Sequence, residues 1–154
     1  MAPAEVRIAV AGDADSIARL FTDFNREFGE PTPERGLVAE RIADHIERAH
    51  STFLLAGEGP DGFAQLRYRA SLYIAGLEAH LQELYVVPAL RGEGIGRALL
   101  EAALREAREA GAGYIDLGTG DDDTAARALY ESAGFSNCEG DPGGPVMYVY
   151  EREL

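Results

Sequence analysis

The stretch Leu81–Ala98 reads LQELYVVPALRGEGIGRA. An apolar run leads into a turn with glycine at alternate positions, Gly92, Gly94 and Gly96, and then into a helical pattern. Glycine lets the backbone come close to a ligand, and the first N–H groups of a helix have no internal partner. The combination suits an anion, above all a phosphate, held by main-chain donors.

Two common phosphate motifs do not fit. A P-loop needs G-x-x-x-x-G-K-[ST], which is absent. A dinucleotide turn needs G-x-G-x-x-G after the first strand of its unit, whereas here Arg97 stands at the last glycine position and the turn follows about the fourth strand. A glycine turn with no ligand remains an alternative at this point. Three closely spaced glycines opening a strong helix are costly without a backbone approach to serve.

The elements that must position this turn follow from periodicity. Glu5–Val10 alternates like a strand. Ile17, Leu20, Phe21, Phe24 and Phe28 recur at helical spacing after Asp13 and Asp15, either of which can cap, and Gly29 ends that helix. Thr32 as N-cap and Pro33 at the first helical position predict a second helix running to about residue 49. Thr52–Ala56 and Phe63–Arg69 predict two strands about a Gly-Pro-Asp-Gly turn, and Ser71–Gly76 reads as loop or strand extension. Leu77–Val87 is the strand entering the glycine turn, and the helix over Gly94–Ala110 buries Ile95, Leu99, Leu100, Ala103, Leu104 and Ala107. Tyr114–Leu117 predicts a strand, Thr124–Ala133 a last helix with Gly134 at its end, and Phe135 and Val146–Tyr150 begin two further strands. The order β-α-α-β-β-β-α-β-α-β-β predicts a single α/β (α+β) domain with a mixed sheet over residues 1–154.

Composition narrows the classes. The formal net charge of -13 argues against nucleic acid as a partner. Such acidity serves solubility and can attract a cationic amine. All 14 basic residues are arginine. No run of apolar residues is long enough to span a membrane, and no basic start precedes an apolar block, so no signal peptide is expected. The single cysteine, Cys138, excludes an intramolecular disulfide and fits a cytoplasmic protein. His45, His50 and His80 have no ligand spacing, so no metal is expected.

LYVVPALRGEGIGRALL, followed downstream by TAARALYESAGF, resembles the GNAT superfamily of N-acetyltransferases. Arg91-Gly92-Glu93-Gly94-Ile95-Gly96 matches that family's [QR]-x-x-G-x-[GA] acyl-CoA motif, and Leu129–Phe135 matches its L-Y-x-x-x-G-F motif. The resemblance implies a GNAT fold that holds acetyl-CoA in a gap between two splayed parallel strands, the one ending at Val87 and Tyr114–Leu117. It implies that the backbone of Leu84, Tyr85 and Val86 holds the pantetheine and thioester, and that the turn from Arg91 and Gly92 through Glu93, Gly94, Ile95 and Gly96 to Arg97 holds the pyrophosphate.

The resemblance also assigns chemistry. Tyr130 matches the family's tyrosine acid, which protonates the departing thiolate. Asp123 stands where the family often carries an asparagine that touches the pantetheine; an ionised carboxylate there can accept but not donate. Glu83 lies where family members often carry an acid, and strand alternation puts Glu83 and Tyr85 on one face, Gln82 and Leu84 on the other. Glu83 is the expected base for the amine, with Glu78 and His80 as alternatives. The acceptor region implied is Phe24–Gly36 with Ser71–Gly76, where Glu27, Glu30 and Glu34 form either a pocket for a cationic amine or a solvated rim. The expected activity is transfer of acetyl from acetyl-CoA to the primary amine of a small molecule, in a possible homodimer. The alternatives are an acyl-CoA sensor domain or a protein N-acetyltransferase on the same scaffold.

Overall fold

The computed structural model describes residues 4–154. The chain divides into two compact units, Met1–Leu117 and Gly118–Leu154.

The first unit contains β1 (Val6–Ile8), α1 (Ala14–Glu27), α2 (Arg35–Glu47), β2 (Ser51–Ala56), β3 (Gly62–Ala70), β4 (Leu77–Val86), α3 (Ile95–Glu109) and β5 (Ala112–Asp116). The strands form one sheet in the order β1-β2-β3-β4-β5. Short turns join β2 to β3 and β3 to β4, so these pairs are antiparallel. The α3 crossover returns the chain to the same end, which makes β4 and β5 parallel. On one face Ile17, Leu20, Val38 and Ile42 of the first two helices pack with Phe53, Leu55, Phe63 and Tyr85. Alternation places Leu54, Ala64, Leu66 and Ala79 on the other face, all buried, as are Leu99, Leu100 and Ala103 of α3. The strand pattern reads as continuous apolar runs in β2 and early β3 because both faces are covered.

One helix start differs from the expectation. Glu34, not Thr32, caps α2: its two carboxylate oxygens accept from the N–H groups of Gly36 (2.9 Å) and Leu37 (3.0 Å). A carboxylate satisfies two orphan donors at once, and its negative charge suits a helix N-terminus. Ser71–Gly76 is a bend, closed by Ser71 Oγ accepting from the N–H groups of Tyr73 (3.0 Å) and Ile74 (3.3 Å).

The second unit holds α4 (Thr124–Ser132). Its end explains the LYESAGF pattern physically. Phe135 N–H donates to Tyr130 O (3.1 Å) and Gly134 N–H to Glu131 O (3.1 Å), with Gly134 at φ 93°. That is a Schellman motif, which needs glycine at its left-handed position. The Tyr130 and Phe135 rings meet edge-on at 5.9 Å, supplying the apolar contact that accompanies such a cap. The two strands expected from Phe135 and over Val146–Tyr150 are not formed. The segments share one antiparallel bridge, Cys138 with Val146, flanked by Glu139 N–H to Pro145 O and Met147 N–H to Asn137 O, both 2.7 Å. Pro145 brings no donor to the ladder, and Tyr148, Val149 and Tyr150 remain exposed. The mixed sheet with flanking helices stands; its expected last two strands do not.

Candidate functional site

The site is built on β4. In the β3–β4 ladder Gln65 pairs with Glu83 but Leu66 pairs with Leu81, so Gln82 is an extra residue on β4. This bulge reverses the alternation at that point. Leu81 stays in the core, Gln82 turns to solvent, and Glu83 joins His80, Glu78 and Tyr85 on the face covered by α1 and α2. Strict alternation would have separated His80 from Glu83; the bulge puts them in one row. Sequence reasoning missed it because no residue type marks the insertion: Gln82 is not glycine.

The Glu83 carboxyl is half-buried and has no hydrogen bond or ion pair among the described residues. Burial alone pushes its pKa up to about 7. Its cross-strand neighbour Gln65 is buried, and Gln65 Nε2 donates to Ser51 Oγ (2.9 Å), which also meets His45 Nδ1 (2.9 Å). A carboxyl poised near neutrality beside a solvated edge can take a proton and release it again.

The glycine turn has the geometry expected of it. Gly92 (φ 82°) and Gly94 (φ 88°) are left-handed, with open space where a Cβ would stand. Gly94 is the N-cap of α3, and Ala98 N–H makes the first helical bond, to Gly94 O (3.0 Å). The N–H groups of Ile95, Gly96 and Arg97 therefore precede that first bond, at the positive end of the helix. Glu93 and Arg97 are exposed on this turn. These residues fit a phosphate: the N–H groups lie at a helix N-terminus, and the space beside Gly92 and Gly94 is open.

Arg91 behaves differently from its neighbours. Its guanidinium turns back from the turn, forming a bidentate pair with Glu27 (2.8 and 2.9 Å) while Nε donates to Val86 O (3.0 Å). It also lies 5.6 Å from the centre of the Tyr85 ring, on which Phe24 stacks at 4.9 Å. Glu27 is thus spent on Arg91 and Glu34 on the α2 cap, while Phe24 packs on the core. Of the cationic-amine pocket considered for Phe24–Gly36, these members have structural work instead.

β4 and β5 pair only from Leu77 with Ala112 to His80 with Asp116. β5 ends at Asp116, and β4 continues beyond that pair to Val86, so Leu84, Tyr85 and Val86 pair with β3 and have no β5 partner. At the last pair His80 Nδ1 meets Asp116 Oδ1 (2.7 Å), and Arg69 donates to Asp116 Oδ2 (2.9 Å) and Glu78 Oε2 (2.7 Å). Burial pushes the Asp116 carboxyl up, but the hydrogen bonds from Arg69 and His80 outweigh it and hold the pKa below the ordinary value.

In the second unit Tyr130 lies on α4, and Asp123 caps that helix, its Oδ1 accepting from Ala126 N–H (3.1 Å). Among the described residues no group of three or more His, Cys, Asp or Glu could hold a metal, and no helix is long and apolar enough to cross a membrane.

Comparison with known proteins places this geometry. Residues 17–135 match the acetyltransferase (GNAT) family. A crystal structure assigned to the acetyltransferases, from Arthrobacter sp. FB24, superposes with a TM-score of 0.89 at 40% identity, covering 97% of this chain and 96% of that one. The aminoalkylphosphonate N-acetyltransferase of Salmonella typhimurium is 30% identical over 85% of this chain and 84% of its own length. The aminoglycoside N(6')-acetyltransferase type 1 of Stenotrophomonas maltophilia is 30% identical over 87% of each. The chain belongs to the GNAT family of acetyltransferases and is an acyltransferase.

Proposed function

We propose that the protein moves an acetyl group from acetyl-CoA to the primary amine of a small molecule, by direct attack of the amine within a ternary complex. Acetyl-CoA supplies the activated acyl group. The N–H groups from Gly92 to Arg97 hold its pyrophosphate, and the backbone of Leu84, Tyr85 and Val86, paired to β3 on one side and without a β5 partner on the other, holds the pantetheine arm. A backbone N–H near Val86 stabilises the negative charge that develops on the thioester oxygen. Asp123 offers its remaining carboxylate oxygen as an acceptor.

Glu83 takes the proton that the amine must lose. A free alkyl amine is mostly protonated at neutral pH, so a base is needed before or during attack. The observation that carries this role is a partly buried carboxyl without a partner, its pKa raised to about 7, in one row with Tyr85 on the face of β4. Nitrogen forms its bond to the thioester carbon, the carbon–sulfur bond breaks, and Tyr130 gives its phenol proton to the departing sulfur; the second proton that the attacking nitrogen must shed leaves through solvent, which restores the phenol. The family motif supports the role of Tyr130.

The test is release of free CoA thiol from acetyl-CoA with a panel of small amines and of peptides. Turnover with a small amine supports the proposal. Thermal stabilisation by acetyl-CoA with no acceptor turned over would favour the sensor reading instead.

A further inference from the structure

The two acetyltransferase relatives named above differ in their acceptors, and the face beside Glu83 distinguishes between the chemistries. This step rests on Glu83 marking where the amine is deprotonated. From there the same face of the sheet continues toward the β3–β4 bend. Arg67 stands opposite His80 in the ladder, and Arg69 opposite Glu78. Directly opposed side chains have Cβ atoms about 5 Å apart. An open pocket of about 190 Å³ is lined by Arg67, Tyr68, Arg69 and His80.

The charges in this cluster are unequally matched. Arg69 is tied to both Glu78 and Asp116, and Asp116 also binds His80. Of the three strand arginines, Arg7 is held by Asp13 and Arg69 by its two acids, but the Arg67 guanidinium has no hydrogen bond or ion pair among the described residues. Its charge is nevertheless felt on this face: after burial, it is the next cause that pushes the His45 pKa down. In a chain with 27 acidic residues against 14 arginines, a strand arginine without an acid beside a histidine and an open pocket is an anion receptor waiting for its anion.

We propose that Arg67, with His80 beside it, binds an acidic group on the acceptor, so that the acceptor is a small amine carrying a carboxylate or phosphonate a few bonds from its nitrogen. The spacing suits this. Arg67 lies two residues along β3 from Gln65, the partner of Glu83, a distance of about 7 Å. The amine sits at Glu83 and the acid at the Arg67–His80 end. A carboxylate or phosphonate gains charge-assisted hydrogen bonds that a hydroxyl cannot match. A polycation would face Arg67 unscreened.

The experiment compares matched acceptors in the full chain: β-alanine and 2-aminoethylphosphonate against 3-aminopropanol and 1,3-diaminopropane, with wild type, Arg67→Ala and Arg67→Lys. Wild type should favour the acidic amines by about tenfold or more in kcat/KM, the worth of one hydrogen-bonded charge. In Arg67→Ala the KM of the acidic amines should rise about ten- to a hundredfold with kcat little changed, erasing the preference. Arg67→Lys should restore part of it, and the carboxylate and phosphonate arms show which acid is read. Equal use of neutral or dicationic amines by wild type, or an equal loss for all acceptors in Arg67→Ala, overturns the inference while acetyl transfer stands. Should no amine be acetylated, calorimetry of 2-aminoethylphosphonate with CoA present decides: binding weakened in Arg67→Ala upholds the receptor, and no binding to wild type overturns it. Arg67 is exposed and unpaired, so its variants should fold, which a thermal melt verifies.

Discussion

Arg91, at the entrance of the glycine turn, is joined by two hydrogen bonds of 2.8 and 2.9 Å to Glu27, the last residue of α1. A residue of the glycine-turn motif thereby ties α1 to the end of β4, with the Tyr85 and Phe24 rings stacked beside the pair. The pair is partly exposed, so its contribution to stability should be modest, about 1 kcal/mol. Its greater effect should be on binding. Glu27→Ala should raise the KM for acetyl-CoA several-fold, because the turn loses its anchor. The exchange Glu27→Arg with Arg91→Glu should recover most of that loss. Steady-state kinetics of the two singles and the double tests this; three equal phenotypes would mean that each residue acts alone.

Gly94 offers a more direct probe of the turn. Its φ of 88° suits glycine, and an L-residue there costs about 1–2 kcal/mol. Because the space around a Cβ is open, Gly94→Val should still fold. Acetyl-CoA affinity, measured by calorimetry, should fall at least tenfold. Unchanged affinity in a folded variant would remove the turn from the binding site.

The second unit should be sensitive at Gly134. With φ of 93° at the Schellman position, Gly134→Ala should loosen the end of α4 by about 1 kcal/mol, and Asp123→Ala should cost about 1 kcal/mol at its start. Hydrogen exchange of the α4 amides reports both.

Much of this was legible in the sequence because it depends on local chemistry. The glycine turn, the α3 stripe and the LYESAGF cap each follow from residues within one or two turns of one another. Glu83 and Tyr85 share a face by simple alternation. Other features needed the fold. The Gln82 bulge that aligns His80 with Glu83 is a property of two strands in register. The Glu27–Arg91 pair joins residues far apart in sequence, and the motif itself points Arg91 at the ligand. Thr32 lost the α2 cap to Glu34 because a longer acidic side chain reaches two donors. Val146–Tyr150 has strand-forming residues, but propensity does not supply a ladder.

Glu83 also predicts a trade of stability for function. Its folded pKa of about 7 lies above the unfolded value near 4.3, so the folded state holds the proton more tightly. Stability from this group is full below the unfolded value and is lost as pH rises toward 7. Glu83→Gln should be more stable than wild type at pH 8, by at most about 4 kcal/mol, and no more stable at pH 4. Denaturant melts at the two pH values measure the difference.

The pH dependence of kcat/KM tests the role of Glu83 most directly. With an acceptor amine that wild type turns over, activity should rise through a limb with an apparent pKa near 7, and Glu83→Gln should lose that limb together with about 10²–10⁴-fold in rate. A Glu83→Gln enzyme that keeps the wild-type rate and the same limb would contradict the assignment.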